Sequence, residues 1–382
     1  MKCIRLILLA GAVLMHAHLC FAQEEQPGFV TRWVITPAAG MDAILLLGAA
    51  AGDIMQAEIY PDDIARVREA ISAEGLAALE RIDQVVRVQL GKLTGPTLAY
   101  LFSAGPLDSL DDVIASAADP IGRLKPALMT SPYWDAQEFA AAQELMPTIH
   151  TALVALRDAG FNDWYRRDLE ARILESVAVN RAAVAGHDII PEQERLLGRK
   201  LDPRIELLVV NYAKPYGIRI LGQRFVAYYG WKGETQLHVA THELFHPPYD
   251  IADEGLAALL EPLRQDAWLA NIVENHDPRY GYNSFEGLVN EACTQALDQL
   301  VAERLGFAHD PGKRWRHADG GMHMLAAAIY QAMKQSGFAE RGGRFEDWFR
   351  QAMASGLLAP EAVRAHATVV VGQDAVDRWA PG

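Results

Sequence analysis

The chain has 382 residues, with 49 Asp and Glu against 35 Lys and Arg, so its formal charge is −14. At about 100–200 residues per domain the length suggests two domains, and a composition that is 51% hydrophobic and 22% charged is typical of a globular protein rather than a disordered one. The acidic excess argues against a nucleic-acid partner, because contact with a phosphate backbone needs clustered Lys and Arg.

The first 22 residues have the organisation of a signal peptide. Lys2 and Arg5 form a short positive region before an apolar run over residues 6–15, and Cys20-Phe21-Ala22 provides a small-x-small cleavage site. The run is shorter than the ~20 residues that a membrane-spanning helix needs, and Leu19 does not suit the lipoprotein form of such signals. We therefore expect an exported protein, periplasmic or secreted, with no stable membrane insertion after cleavage.

Residues 23–200 are predicted to form a mostly helical region. A short strand is expected at 29–35, and apolar residues then recur at helical spacing over 64–90 and again from 136 to about 185. Gly-Pro pairs at 95–96 and 105–106 divide the region with turns. This half of the sequence provides packing information and few chemically informative residues.

The character of the sequence changes near Asp202. Two strands are predicted, at 204–213 and 218–229, because both stretches are rich in β-branched and aromatic residues and a Pro-Gly turn separates them. A helix is predicted to follow at 235–246. The remaining predicted helices are 256–270, 285–305, 322–336 and 344–355. The expected fold class is therefore α+β and predominantly helical, with a small sheet leading into the helix at 235–246.

That helix contains the most informative motif, His242-Glu243-Leu244-Phe245-His246. Residues four apart share one face of a helix, so both imidazoles can bind one zinc ion, and Glu243 can act as a general base toward the water that the ion activates. Three histidines spread over eight residues drift around a helix, so His238 is expected to pack or hydrogen-bond beside the site. Pro247-Pro248 predicts a helix end at or near His246.

A catalytic zinc ion needs a third protein ligand. Glu291, 45 residues after His246, is the favoured candidate because its apolar neighbours predict burial, and a buried carboxylate needs a charge partner. Asp277, on a predicted loop, is the alternative. Glu254 follows the Pro247-Pro248 break too closely to return easily to the site.

These residues resemble the thermolysin-type zinc peptidases, the gluzincins. The likeness covers three short segments within residues 238–323, namely the H-E-x-x-H motif, Asn290-Glu291-Ala292, and Asp319-Gly320-Gly321-Met322-His323, which is similar to the family's Gly-Gly-Val-His segment. The resemblance implies that His242, His246 and Glu291 bind zinc and that Glu243 activates water. It also implies that His323 stabilises the oxyanion, for which Tyr282 is the alternative donor.

Related families and departures from the pattern define the remaining alternatives. The metzincin extension is absent, because Tyr249 and Ala252 stand where that motif has Gly and His. The segment 277–281 resembles the Asp-x-x-Tyr-Gly stretch of the aspzincins, and for this reason Asp277 remains the alternative ligand. Gluzincins often have an Asp four residues after the ligand Glu. Here that residue is Gln295, with Asp298 three residues further on; Gln295 could accept a hydrogen bond from a ligand imidazole, though less strongly than a carboxylate.

The sequence thus predicts a signal peptide at 1–22, a helical region at 23–200 and a zincin-like metallopeptidase region at 201–382, with one Zn²⁺ per chain. The expected substrate is a peptide or protein, and an extended peptide could add to strand 223–229 as a further strand. Two alternatives remain, a non-catalytic exported zincin-fold protein that binds a partner and a zinc hydrolase of a non-peptide substrate. The oligomeric state stays open.

Overall fold

The computed structural model describes residues 28–381, so the predicted signal peptide lies outside the described residues. The structure is 67% helical and contains a small four-stranded sheet. This confirms the prediction of a predominantly helical α+β fold. Within residues 28–381 we find no helix that combines the length and the apolar character needed to cross a membrane.

The sheet joins one strand from the start of the chain to three from its middle. Its strands are β1 (Arg32–Pro37), β2 (Arg204–Val210), β3 (Ile218–Ile220) and β4 (Arg224–Tyr228). Their order is β1-β2-β4-β3, with β1, β2 and β4 parallel and β3 antiparallel to β4. β2 is buried over its last four residues, as expected for a central strand with parallel neighbours.

Two sequence predictions about this sheet were wrong. The stretch 218–229 is not one strand, because a turn at 221–223, with Gly222 at φ +76°, divides it into β3 and β4. The proposed peptide-binding edge at 223–229 is an interior strand, since β4 pairs with β2 on one side and with β3 on the other. The two edge strands are β1 and β3, and β3 is the edge next to β4.

Twelve helices of the described chain precede β2, together with one π-helical turn at Gln84–Gln89. They are α1 (Ala39–Ala51), α2 (Ile54–Ile59), α3 (Pro61–Ala70), α4 (Ala73–Asp83), α5 (Thr94–Phe102), α6 (Leu110–Ala118), α7 (Pro120–Arg123), α8 (Lys125–Leu128), α9 (Ala136–Asp158), α10 (Phe161–Asp168), α11 (Glu170–Val184) and α12 (Ile189–Leu197). α1 is buried on all sides after its first residue, which explains its continuous apolar sequence. The helical stretch predicted at 136–185 is three helices, interrupted first at Gly160, whose φ is +89°.

Ten described helices follow β4. They are α13 (Gly233–Glu243), α14 (Glu254–Arg264), α15 (Ala267–Asn275), α16 (Phe285–Leu305), α17 (Pro311–His317), α18 (Met324–Gln335), α19 (Phe338–Arg341), α20 (Phe345–Ala354), α21 (Pro360–Val371) and α22 (Gln373–Asp377). Single 3₁₀ turns lie at Pro278–Tyr280 and Ala318–Gly321. The helix predicted at 256–270 is divided between α14 and α15, because the Asp266 side chain caps the start of α15.

The core extends across both predicted regions. Buried side chains from residues before and after position 200 belong to one hydrophobic cluster, and β1 of the first region pairs with β2 of the second. The division at residue 200 stays a prediction. For the site, what matters is that β3, α13 and α16 are held against one another by this shared core.

Candidate metal centre

The H-E-x-x-H motif lies at the end of α13. α13 ends at Glu243, and the next turn is tightened by hydrogen bonds from the Phe245 N–H to the His242 carbonyl (3.0 Å) and from the His246 N–H to the Glu243 carbonyl (3.3 Å). The two prolines that follow cannot continue the helix. His246 is therefore one tight turn beyond His242, and the helix ends three residues before the predicted boundary.

Three side chains converge beside this turn. The Nε2 atoms of His242 and His246 are 3.1 Å apart, and Oε2 of Glu291, from α16, lies 3.5 Å from the first and 3.4 Å from the second. Four ligands around a tetrahedral zinc ion at 2.0–2.1 Å are separated by about 3.3 Å. The three atoms therefore have the spacing of a metal site, and this His/Glu cluster could hold a metal ion.

Glu291 shows a second property of a metal ligand. Its side chain is only 3% exposed, and Oε2 accepts no hydrogen bond from the described residues. Leaving a buried carboxylate oxygen without a partner is costly. Although burial acts to raise the pKa of Glu291, His242 and His246 hold it well below its ordinary value, so the group is a carboxylate. A cation between these three side chains would provide the missing partner.

Both histidine rings are oriented by side chains of α16. Nδ1 of His242 lies 2.7 Å from Oδ2 of Asp298, and Nδ1 of His246 lies 2.7 Å from Oδ1 of Asn290. Because these oxygens are acceptors, each Nδ1 donates its proton to them, and a metal bound between the rings would be met by the Nε2 lone pairs. Asp298 is fixed in turn by Arg314, whose two terminal nitrogens contact its oxygens at 2.5 and 2.9 Å.

Gln295 has a different role from the predicted one. Its Nε2 donates to Oε1 of Glu291 at 2.8 Å, and its Oε1 accepts from Nε1 of Trp315 at 2.8 Å. The prediction that Gln295 would accept from a ligand imidazole was wrong, because Asp298 occupies that position. Asp298 is seven residues, or about two helical turns, after Glu291 and so shares its helix face. That spacing was the sequence signal for Asp298.

Arg219, on the edge strand β3, positions Glu243. Its backbone N–H donates to Oε2 of Glu243 at 3.1 Å, and its guanidinium donates to the carbonyl oxygens of Glu243 (3.1 Å) and His246. Arginine satisfies the last carbonyls of a helix in this way. Sequence reasoning missed Arg219 because it lies 24 residues before Glu243 on another element, and no motif marks it.

The two candidate oxyanion donors lie at different depths. Tyr282 lines the cleft together with Glu243 and His246, and its φ of +58° is rare for a residue with a side chain. His323 is fully buried, its Nε2 lies 2.7 Å from Oδ2 of Asp319, and its ring centroid is 6.0 Å from that of Tyr282. Of the two, Tyr282 is therefore the residue that reaches the cleft.

Burial, followed by the negative charges of Glu291 and Glu243, holds the pKa of Tyr282 well above its ordinary value. The phenol therefore keeps its proton and can act as a hydrogen-bond donor. The alternative ligand Asp277 lies outside the cluster that contains His242 and His246. It instead contacts Arg279 at 2.6 Å, and hydrogen bonds from that residue lower the pKa of Asp277 to about 2.

The site opens into a cleft with a volume of about 660 Å³. Its lining includes residues 216–222, from the edge strand and its flanks, and residues 130–133 with part of α5. A second cavity of about 270 Å³, predominantly apolar, shares part of its wall with the cleft. The shared residues are Lys92, Thr97, Tyr100, Tyr133 and Glu138. The helical first half of the chain thus forms one wall of the cleft, and the π-helical turn contributes to the apolar cavity.

The structure therefore brings together His242, Glu243, His246, Glu291 and Tyr282, with His323 behind Tyr282 and Asp277 elsewhere. Cys293, next to this group in the sequence, is a buried free thiol. Comparisons with protein-family models, with curated proteins and with solved structures give no significant match.

Proposed function

We propose that this protein is an exported zinc-dependent peptidase of the gluzincin type. The observation that carries the proposal is the convergence of His242, His246 and the buried, unpaired Oε2 of Glu291 at 3.1–3.5 Å from one another. Zinc suits this donor set, because two imidazoles and one carboxylate with an open fourth position are typical of catalytic zinc. The resemblance of the three sequence segments supports the same reading.

The ligands hold the ion, and the ion supplies Lewis acidity toward water and toward the scissile carbonyl. Asp298 and Asn290 keep the two imidazoles in the tautomer that binds a metal through Nε2. Gln295 occupies Oε1 of Glu291, which leaves Oε2 for the site. Each ligand is thus held in place by a hydrogen bond to a side chain of α16, so the ligands need little rearrangement when the ion binds.

Glu243 is the proposed general base. It lies next to His242 in the chain and lines the cleft, and the Arg219 N–H fixes one carboxylate oxygen while the other stays available for a proton. After accepting a proton from the attacking water, Glu243 can return it to the leaving amine. Tyr282, kept protonated, donates a hydrogen bond to the oxyanion that forms on the carbonyl.

A peptide substrate fits the shape of the cleft. β3 is at the edge of the sheet, and the residues from 216 to 222 line the cavity next to Glu243. An extended peptide lying along β3 would bring its carbonyl to the metal-binding residues, as in other cases where peptides add to a sheet edge. The adjoining apolar cavity offers space for a bulky side chain of that peptide.

The test uses protein that begins at residue 23, assayed for zinc by elemental mass spectrometry and for cleavage of a peptide library by mass spectrometry. We expect about one equivalent of zinc that depends on His242 and His246, and hydrolysis of peptide bonds. Glu243→Gln should keep the zinc and lose turnover by about 10²–10⁴-fold, the usual contribution of a general base.

Glu254→Gln is the matched control, because Glu254 is exposed at the start of α14 and lies outside the cluster. It should keep both zinc and turnover. Glu243→Gln with wild-type turnover, or a wild-type protein that binds no zinc, would refute the proposal. Zinc with ester hydrolysis but no peptide hydrolysis would favour the non-peptide alternative.

A further inference from the structure

A second cluster of potential metal ligands lies one turn before the H-E-x-x-H motif. Glu234 and His238 are four residues apart on α13, and His309 comes from the segment between α16 and α17. One ligand atom from each residue lies within 4.8 Å of the other two. None of the three belongs to the cluster around Glu291.

His238 contributes a buried polar atom that is unsatisfied. Its Nε2 is buried and has no hydrogen-bond partner among the described residues. Its ring centroid lies 5.0 Å from that of Phe307 and 4.6 Å from that of His309, and the His238 and His309 rings are stacked with 20° between their planes. Packing explains the position of the ring, but it does not compensate a buried nitrogen that neither donates nor accepts.

The two imidazoles are suited to bind a metal ion. One ligand nitrogen of His238 lies within 4.8 Å of one ligand nitrogen of His309, and imidazole nitrogen is a common ligand of zinc. Glu234, one turn away on the same face of α13, adds a negative charge. Because the rings are nearly parallel, one must rotate before both lone pairs point at one ion. His309 is exposed and can rotate.

We propose that Glu234, His238 and His309 bind a second zinc ion, which has a structural role distinct from the proposed catalytic one. Two nitrogen ligands and one carboxylate favour zinc over calcium or magnesium, which prefer oxygen ligands. Glu234 and His309 are exposed, so water can complete the coordination. The proposal does not depend on peptidase activity.

The placement of His309 explains what such an ion would do. The His309 carbonyl accepts from Nε2 of Gln299 at 2.8 Å, and Oε1 of Gln299 accepts from Arg314, which also holds Asp298. A zinc ion there would link α13, which carries His242, to the segment that follows α16, which carries Glu291. It would therefore stabilise the alignment of these helices.

The experiment measures zinc stoichiometry on the whole mature chain, beginning at residue 23. Metal-free protein is dialysed against a small excess of zinc and analysed by elemental mass spectrometry. We expect two equivalents in the wild type and one in His309→Ala, in Glu234→Gln and in a His242→Ala, His246→Ala variant. A triple variant that combines His309→Ala with His242→Ala and His246→Ala should bind no zinc.

His317→Ala is the matched control, since His317 is exposed on α17 and belongs to neither cluster; it should retain two equivalents. A second readout is the thermal midpoint of the His242→Ala, His246→Ala protein, which zinc should raise only while His309 is present. A single equivalent in the wild type that is lost in the His242→Ala, His246→Ala variant but kept in His309→Ala would overturn the proposal, as would a second equivalent that survives His309→Ala. A wild type with one equivalent lost only in His309→Ala would support the second site and contradict the catalytic one.

Discussion

Replacing Asp298 by Asn tests how the candidate site is held together. Asp298 is 5% exposed and has two partners, Nδ1 of His242 at 2.7 Å and the guanidinium of Arg314 at 2.5 and 2.9 Å. The substitution keeps the size of the side chain and removes its charge. It therefore weakens the orientation of His242 and leaves the Arg314 cation without its counter-charge.

The two consequences differ in size. Loss of a carboxylate that orients a ligand histidine typically lowers metal affinity by about 10–100-fold, or roughly 1.4–2.7 kcal/mol. Leaving a buried cation unpaired costs about 3–5 kcal/mol of stability, which is a large part of the ~5–15 kcal/mol that holds a typical domain together. We thus expect Asp298→Asn to lower the free energy of unfolding more than it weakens zinc binding.

The assays are chelator competition for zinc affinity and urea unfolding of the metal-free protein. A second change, Arg314→Gln, separates the effects, because removing both charges should recover stability while zinc affinity stays low. Asp277→Asn, at an exposed pair with Arg279, is the control and should change neither quantity. Wild-type zinc affinity in folded Asp298→Asn would refute the reasoning, as would full recovery of affinity in the double variant.

Three further outcomes are expected. Tyr282→Phe should lower kcat by about 10²–10³-fold with little change in KM, whereas His323→Gln should affect mainly stability. Steady-state kinetics and thermal unfolding distinguish the two effects. An equal loss of kcat in both variants would contradict the assignment of Tyr282 as the oxyanion donor. Ala142→Trp, which fills the apolar cavity, should reduce kcat/KM for peptides with bulky apolar side chains more than for alanine peptides, and an equal reduction would count against that cavity as a subsite. Burial raises the pKa of Asp42 to about 8. The folded state therefore keeps a proton that the unfolded state releases near pH 4. As a result, the free energy of unfolding should fall by about 1.4 kcal/mol per pH unit as pH rises from 4 to 8. Asp42→Asn should flatten that dependence in urea titrations at several pH values, and an unchanged slope would show that Asp42 is ionised in the folded protein.

Local signals explain which parts of the fold were predictable. The bounds of α16 match the predicted 285–305, because the helix begins after the capping Ser284 and ends before Gly306, which is in the left-handed conformation. The sheet order was not predictable in the same way, since the neighbours of β4 depend on which distant segments pack together. The break between β3 and β4 depends on Gly222, which lies inside a stretch of strand-forming residues.

The same distinction holds for the site. His242, Glu243 and His246 are close in sequence, so their spacing alone indicated a metal-binding face. Glu291 required the additional argument that a buried carboxylate needs a partner. Arg219 contacts Glu243 only because β3 runs beside the end of α13, and no property of its sequence neighbourhood indicates that contact.

The balance of buried charge gives the strongest physical reason to place a cation here. Hydrogen bonding and nearby positive groups overcome the effect of burial and lower the pKa of both Glu291 and Asp298, so both are ionised, whereas Arg314 neutralises only Asp298. Burial opposes a proton on His242, but Glu291 and Asp298 raise its pKa well above the ordinary value. Without a metal, a proton on His242 therefore balances Glu291. A metal ion bound here would replace that proton with a larger charge at the same position, because the Nε2 lone pair that holds the proton is also the one that faces the cluster. These side chains thus form a site that favours positive charge, and His246, whose Nε2 lies 3.1 Å from that of His242, offers a second nitrogen ligand that a divalent metal could use and a single proton could not.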